Sequence, residues 1–191
     1  MKKPANKNQK FIETFFIKKG LKLLVDLSKK KKPSVNQMII NEPYMPELED
    51  LYNLYQYVLI NKRTTILEFG SGWSSLIFSL ALNELANKFS NEVKKLRRNN
   101  PFELFVIENE KKYLDITKNR IIKFNNYLKI KTPIKINYIL TDVEMTTFKD
   151  RICTQYKKLP LCNPDFIYLD GPDQFKVKKD KNGISTRHKD M

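Results

Sequence analysis

The chain is poor in the residues that announce a metal or disulfide protein. It has two cysteines, Cys153 and Cys162, and a single histidine, His188. Two thiols make neither a disulfide framework nor a thiolate–imidazole cluster, and reduced thiols in a cytoplasmic protein are the plainer expectation. His188 sits in a polar tail, GISTRHKDM. Histidine titrates near neutral pH, but a lone one in such a tail is more often a solvated side chain than a catalytic base. No apolar run approaches the roughly 18–20 residues that cross a bilayer. The opening MKKPANKNQKFIETFFIKKG is basic and then apolar, yet Lys18 and Lys19 cut the apolar part short and no small-residue cleavage site follows, which argues against a secretory signal. There is no internal repeat. Acidic residues are in deficit: 36 Lys and Arg face 21 Asp and Glu, for a net charge of +15. Such an excess suits nucleic acid or a membrane surface. The lysines are spread along the chain, however, and a general bias toward Lys, Asn and Ile accounts for them better.

What is present begins with residues 64–80, TTILEFGSGWSSLIFSL, in a chain of 191 residues, long enough for one domain with a real core. A short apolar run (Ile66, Leu67, Phe69) leads into Gly70-Ser71-Gly72, and an apolar-periodic segment follows at once. The plain reading is strand, tight glycine turn, helix. Glycines let a ligand approach the main chain closely, and the first helical turn leaves unpaired N–H groups pointing at it. A dinucleotide fingerprint would continue to a third glycine, and Ser75 stands there instead. The pattern is E-x-G-x-G, with Glu68 two residues before the first glycine. It suits a ligand without phosphates and with a cationic amino-acid end.

Upstream, residues 10–32 carry Phe11, Ile12, Phe15, Phe16, Leu21, Leu23, Leu24 and Leu27 among lysines. This predicts a helical N-terminal extension (1–40) ending in a solvated linker at Lys29-Lys30-Lys31-Lys32-Pro33. Its basic face could rest on an anionic membrane, although such a helix more often packs on its own domain. A turn at Glu42-Pro43-Tyr44-Met45-Pro46 precedes Leu48, Leu51, Tyr55 and Val58 at helical spacing. The helix after the glycine turn is expected to run to about Arg98, where Asn99-Asn100-Pro101 stops it. Further strands are expected at 102–107, 134–140 and 165–169, with a helix at 110–128 and only a connection between the last two strands. That alternation predicts an α/β domain over 41–191: a Rossmann-like three-layer αβα sandwich with a mainly parallel sheet.

Each candidate strand ends at or near an acid: Glu68, Glu108, Asp142 and Asp170. Open α/β sheets bind ligands beyond the carboxyl ends of their strands. Asp170, in DFIYLDGPDQF, has Asp173 nearby, and two oxygen donors could ligate a hard divalent cation, although no third ligand is evident. A plain turn at Asp-Gly-Pro is the alternative.

Taken together, E-x-G-x-G and the later acids resemble the motifs of class I S-adenosylmethionine-dependent methyltransferases over residues 42–175. The resemblance implies that Glu68, Gly70, Ser71, Gly72, Trp73, Glu108 and Asp142 bind S-adenosylmethionine, with Glu108 at the ribose hydroxyls and Asp142 near the adenine. It places Asp170 at the transfer site, where a hydroxyl acceptor needs a base or a metal. The asparagine–proline pattern of many nitrogen-directed members is missing, which favours a small-molecule or glycan hydroxyl as acceptor. A sheet of that family has seven strands and about four are counted here, so the domain is expected to be incomplete at its C-terminus. Two rival functions stand beside this one: a non-catalytic module of the same fold that docks nucleic acid or a partner protein, and a nicotinamide-dependent oxidoreductase, which the missing third glycine disfavours.

Overall fold

The computed structural model describes residues 1–30, 44–172 and 177. Helices α1 (Gln9–Lys18), α2 (Lys22–Ser28) and α3 (Leu48–Ile60) come first. Strand β1 (Thr65–Phe69), helix α4 (Trp73–Val93), strand β2 (Glu103–Glu108), helix α5 (Lys111–Tyr127) and strand β3 (Lys135–Leu140) then alternate. Strands β4 (Val143–Phe148) and β5 (Arg151–Tyr156) pair as an antiparallel hairpin before β6 (Phe166–Leu169). The fold is α/β and Rossmann-like, as expected: four parallel strands in the order β3-β2-β1-β6.

Side chains alternate across a strand, so each strand feeds two layers. Ile66, Leu104 and Val106 face the helices and share a buried cluster with Phe78 of α4 and Leu114 and Ile121 of α5. Leu67, Phe105 and Ile107 face the other way, against Val143 and Met145 of β4, Tyr156 of β5 and Val177. The helices and the hairpin therefore cover opposite faces of the sheet. β1–α4–β2 and β2–α5–β3 step in one direction, which puts both helices on one face by the right-handed crossover rule. β6 lies on the other side of β1. The strand order thus reverses between β1 and β6, and a crevice at such a switch point is where open sheets hold ligands.

Asp165 anchors that junction. Its carboxylate accepts from the Thr64 and Thr65 amides, each at 3.0 Å to Oδ1, and from the Thr64 hydroxyl at 3.2 Å. Arg98 adds an ion pair at 2.9 Å. These contacts fix where β6 begins against β1. On the hairpin face of β6, Ile167 and Leu169 are exposed.

Several boundaries differ from the sequence reading. The single helix expected over 10–32 is two, broken at Gly20, whose φ is +77°; a Cβ there would meet Leu128 Cδ2 at 2.6 Å. In keeping with a helix that packs on its own domain, α1 and α2 contribute Ile12, Phe16, Leu21, Leu24 and Val25 to the same buried cluster as the sheet. Phe15 packs edge-on against Tyr52 at 5.1 Å and Tyr55 at 5.4 Å. Helix α4 stops at Val93 instead of Arg98, because the following Lys94-Lys95-Leu96-Arg97-Arg98 offers no buried side chain to hold another turn. The segment read as a bare connection holds the β4–β5 hairpin. Lys31, Lys32, Pro33, Glu42, Pro43, Asp173 and His188 lie outside the described residues.

Candidate functional site

Parallel register brings the predicted acids to one rim. Phe69 pairs with Ile107 on one side and with Leu169 on the other. Gly70, Glu108 and Asp170 are therefore level, one residue past the last pairs. The Gly70 amide donates to the Ile107 carbonyl at 2.8 Å, and the Asp170 amide to the Phe69 carbonyl at 2.9 Å. On the far side of β2, the Thr141 amide donates to the Glu108 carbonyl at 3.0 Å, which sets Asp142 just beyond it. Along the rim the order is Asp142, Glu108, Gly70, Asp170.

The glycine turn is tight for a specific reason. Gly70 has φ +95°, a conformation L side chains rarely take. A Cβ on it would lie 3.1 Å from the Gly171 amide nitrogen, and a Cβ on Gly171 would lie 3.0 Å from the Gly70 Cα. The loops after β1 and β6 thus pack backbone against backbone at the switch point. Gly72 caps α4, and its amide donates to Ser75 Oγ at 3.2 Å. Trp73 opens the helix and lies half-buried beneath Arg120, whose guanidinium carbon stands 3.8 Å from the ring centroid.

Glu68 points inward from β1 and is fully buried. The Ser74 hydroxyl donates to its Oε1 and the Ser75 hydroxyl to its Oε2 at 2.6 Å. Burial pushes its carboxyl up to about 8, against the two serine hydrogen bonds and helped by the charges of Asp170 and Glu108. Through these two serines it ties the first turn of α4 to β1. The structure sets it behind the turn rather than on the open rim.

Glu108 is the better-presented acid. The Ser71 hydroxyl donates to Oε2 at 2.7 Å, and the Asn109 and Glu110 amides donate to Oε1 at 2.8 and 3.0 Å. Burial raises its pKa, opposed by the Ser71, Glu110 and Asn109 hydrogen bonds. A carboxylate has about four acceptor sites, so the three bonds present leave room for one more donor. Asp170 stands exposed at the end of β6. Desolvation by the surrounding protein raises its pKa, opposed by a hydrogen bond from Tyr168 and helped by Asp50 of α3. Among the described residues, no group of three His, Cys, Asp or Glu side chains could hold a metal ion. Asp173, the neighbour read as a possible second oxygen donor, lies outside them.

Two residues that the sequence reading passed over belong to this region. Tyr156, at the end of β5, brings a buried hydroxyl to the glycine turn. Arg120 stacks on Trp73 with its Nη1 buried and unpartnered. Arg120 had a signal: it falls beside the apolar stripe of Thr117, Ile121 and Phe124. Tyr156 had none, since no strand was read there.

A separate groove of about 800 Å³ lies between α1, α4 and the end of α5, lined by Phe15, Lys19, Tyr55, Glu84 and Leu128 among others. Its carboxylate, Glu84, is already taken by Lys19, Lys88 and Tyr55. No element of the sheet's rim reaches it. Among the described residues, no helix is long and apolar enough to cross a membrane. Comparison with protein-family models, with curated proteins and with solved structures finds no significant match to this chain.

Proposed function

We propose that this chain is an S-adenosylmethionine-dependent methyltransferase and that the crevice beside Gly70 binds the cofactor. The observation that carries this reading is the meeting of bare glycine backbone and carboxylates at a single switch point. Gly70 and Gly171 let the loops after β1 and β6 meet backbone to backbone, and beside them a Cβ on Gly72 would meet only Ser74 Oγ, at 4.0 Å. Glu108, Asp142 and Asp170 share the rim on either side of them. Carboxylates on that rim favour a ligand with a cationic centre and disfavour a pyrophosphate. These residues suit an adenosyl sulfonium.

In this reading, Glu108 accepts from the ribose hydroxyls with its remaining acceptor site, and Ser71 holds the carboxylate in place. Asp142 lies toward the adenine. Trp73, under Arg120, walls the helical side. Glu68 takes a supporting role: it fixes the turn through Ser74 and Ser75. The cofactor supplies a methyl group already activated on sulfur, so the chain's main task is to position the acceptor. Asp170, whose carboxyl is raised and exposed, accepts the proton of an acceptor hydroxyl. A small-molecule or glycan hydroxyl is the acceptor class that fits this base.

Calorimetric titration of the whole chain tests the proposal. S-adenosylmethionine and S-adenosylhomocysteine are expected to bind at the same stoichiometry, and NAD to give no heat. No heat from either adenosyl compound at millimolar concentration would overturn it.

A further inference from the structure

The lysines are scattered along the sequence, but the fold does not scatter them. Helices α4 and α5 run against the parallel strands, and α3 leads straight into β1. All three helices therefore end at the N-terminal edge of the sheet, opposite the rim of acids. Three connections cross that edge: residues 61–64, 94–103 and 128–135. The first carries Lys62 and Arg63, the second Lys94, Lys95, Arg97 and Arg98, and the third Lys129, Lys131 and Lys135. The acids at this edge, Glu103 and Asp165, are already paired: Lys135 lies 3.1 Å from Glu103 and Arg98 2.9 Å from Asp165. Seven cations are left against one further carboxylate, Glu92 in the last turn of α4.

Helix C-termini account for part of that excess. Each carries about half a negative charge, so the three ends and Glu92 offset about two and a half of the seven and leave about four to five. Among the described residues, Lys94, Lys95, Arg97, Lys129 and Lys131 have no ion-pair partner, and all five are exposed. The same edge presents an aromatic ring: Tyr127 closes α5 and is 70% exposed. A lipid surface would call for a band of exposed apolar side chains on one amphipathic helix. Here the cations lie on three separate connections, and among their described residues Leu96 is the one large aliphatic side chain exposed. Spread cations beside a free aromatic face suit a single nucleic-acid strand, with phosphates on Lys and Arg and a base on the ring.

We propose that this edge binds single-stranded nucleic acid, with backbone phosphates on Lys94, Lys95, Arg97, Lys129 and Lys131 and a base stacked on Tyr127. The edge is at the opposite end of the strands from the Gly70 crevice. It serves docking, not methyl transfer, and is independent of the proposed function.

Fluorescence anisotropy of the whole chain with a labelled mixed-sequence RNA of about 16 nucleotides tests this. Five neutralised phosphates predict a slope of about −3.5 for log affinity against log salt, at about −0.7 each. Lys94→Glu/Lys95→Glu/Arg97→Glu should shrink that slope by about 2 and weaken binding roughly 100-fold at about 0.1 M salt. The same charge change on the rim half of α5, Lys111→Glu/Lys112→Glu/Lys118→Glu, should weaken it far less. Tyr127→Ala should weaken the single strand roughly fivefold or more and leave a duplex of the same sequence unaffected. No binding at about 50 mM salt overturns the assignment. So does an equal loss in the two triple variants, or a Tyr127→Ala affinity equal to wild type. Capture on phosphatidylserine vesicles in place of the oligonucleotide gives the edge to a membrane and overturns it as well. Calorimetry with S-adenosylmethionine on the same samples reports separately on the crevice.

Discussion

Glu68→Gln offers the sharpest physical test of how the glycine turn is held. Glu68 is fully buried between β1 and α4, with Ser74 and Ser75 on its two oxygens. Folding raises its pKa from 4.5 to about 8, so the folded chain binds this proton more tightly than the unfolded one. Its contribution to stability is complete below pH 4.5 and is lost as pH rises, until about pH 8, where both states are ionised. The interval of about 3.5 pH units, at about 1.4 kcal/mol each, corresponds to a loss of about 5 kcal/mol. Glutamine resembles the protonated acid: its oxygen accepts from one serine and its amide donates to the other. The variant should hold the turn without the titration. Urea unfolding of both proteins between pH 5 and pH 8 measures this. Stability of Glu68→Gln relative to wild type should climb steadily across the range. Glu108 and Asp170 titrate in both proteins and largely cancel in the difference. A difference that stays constant with pH would refute the reasoning, because Glu68 would then be ionised throughout.

Other perturbations have equally definite outcomes. Gly70→Ala places a Cβ 3.1 Å from the Gly171 nitrogen at φ +95°, and should cost about 2–4 kcal/mol in urea unfolding. Asp165→Ala leaves the Thr64 and Thr65 amides and Arg98 unpaired at the β1–β6 junction, and should cost about 3 kcal/mol by the same assay. At acid pH the sign reverses at Glu84. Burial pushes its pKa up, but hydrogen bonds from Lys19, Lys88 and Tyr55 outweigh it and hold the carboxyl down to about 2. Its contribution is therefore present above pH 4.5 and lost as pH falls toward 2, and Glu84→Gln should show a shallower acid limb in a melting-temperature series.

The parallel sheet was legible because each of its strands is an apolar run closed by a turn or an acid. Ile66-Leu67-Glu68 and Phe105-Val106-Ile107 are buried on both faces, so their pattern is nearly continuous. The hairpin was not legible for two reasons. Its strands alternate poorly: Thr147, Phe148, Arg151 and Ile152 are all exposed. Its turn uses Lys149 and Asp150 at φ +49° and +62°, a conformation that Asn-Gly usually announces. Missing the hairpin meant missing Tyr156. The rim acids were readable from strand ends, but burial was not. E-x-G-x-G gives no hint that Glu68 turns inward to two serines while Glu108 takes the more open position beside Ser71. Both acids share the helix-facing parity; Glu68 sits within the paired part of β1, level with Val106 and under the first turn of α4, whereas Glu108 lies one residue past the last β1–β2 pair, and only register and packing reveal that.

We propose an adenosyl sulfonium at the β1–β6 switch point. Ultraviolet crosslinking of radiolabelled S-adenosylmethionine to the whole chain, followed by peptide mapping, tests it most directly. Label is expected in peptides carrying Phe69–Trp73 or Glu108–Asn109, and unlabelled S-adenosylhomocysteine should compete it away. Label confined to the groove lined by Phe15, Tyr55 and Leu128, or no competable label at all, would contradict the account.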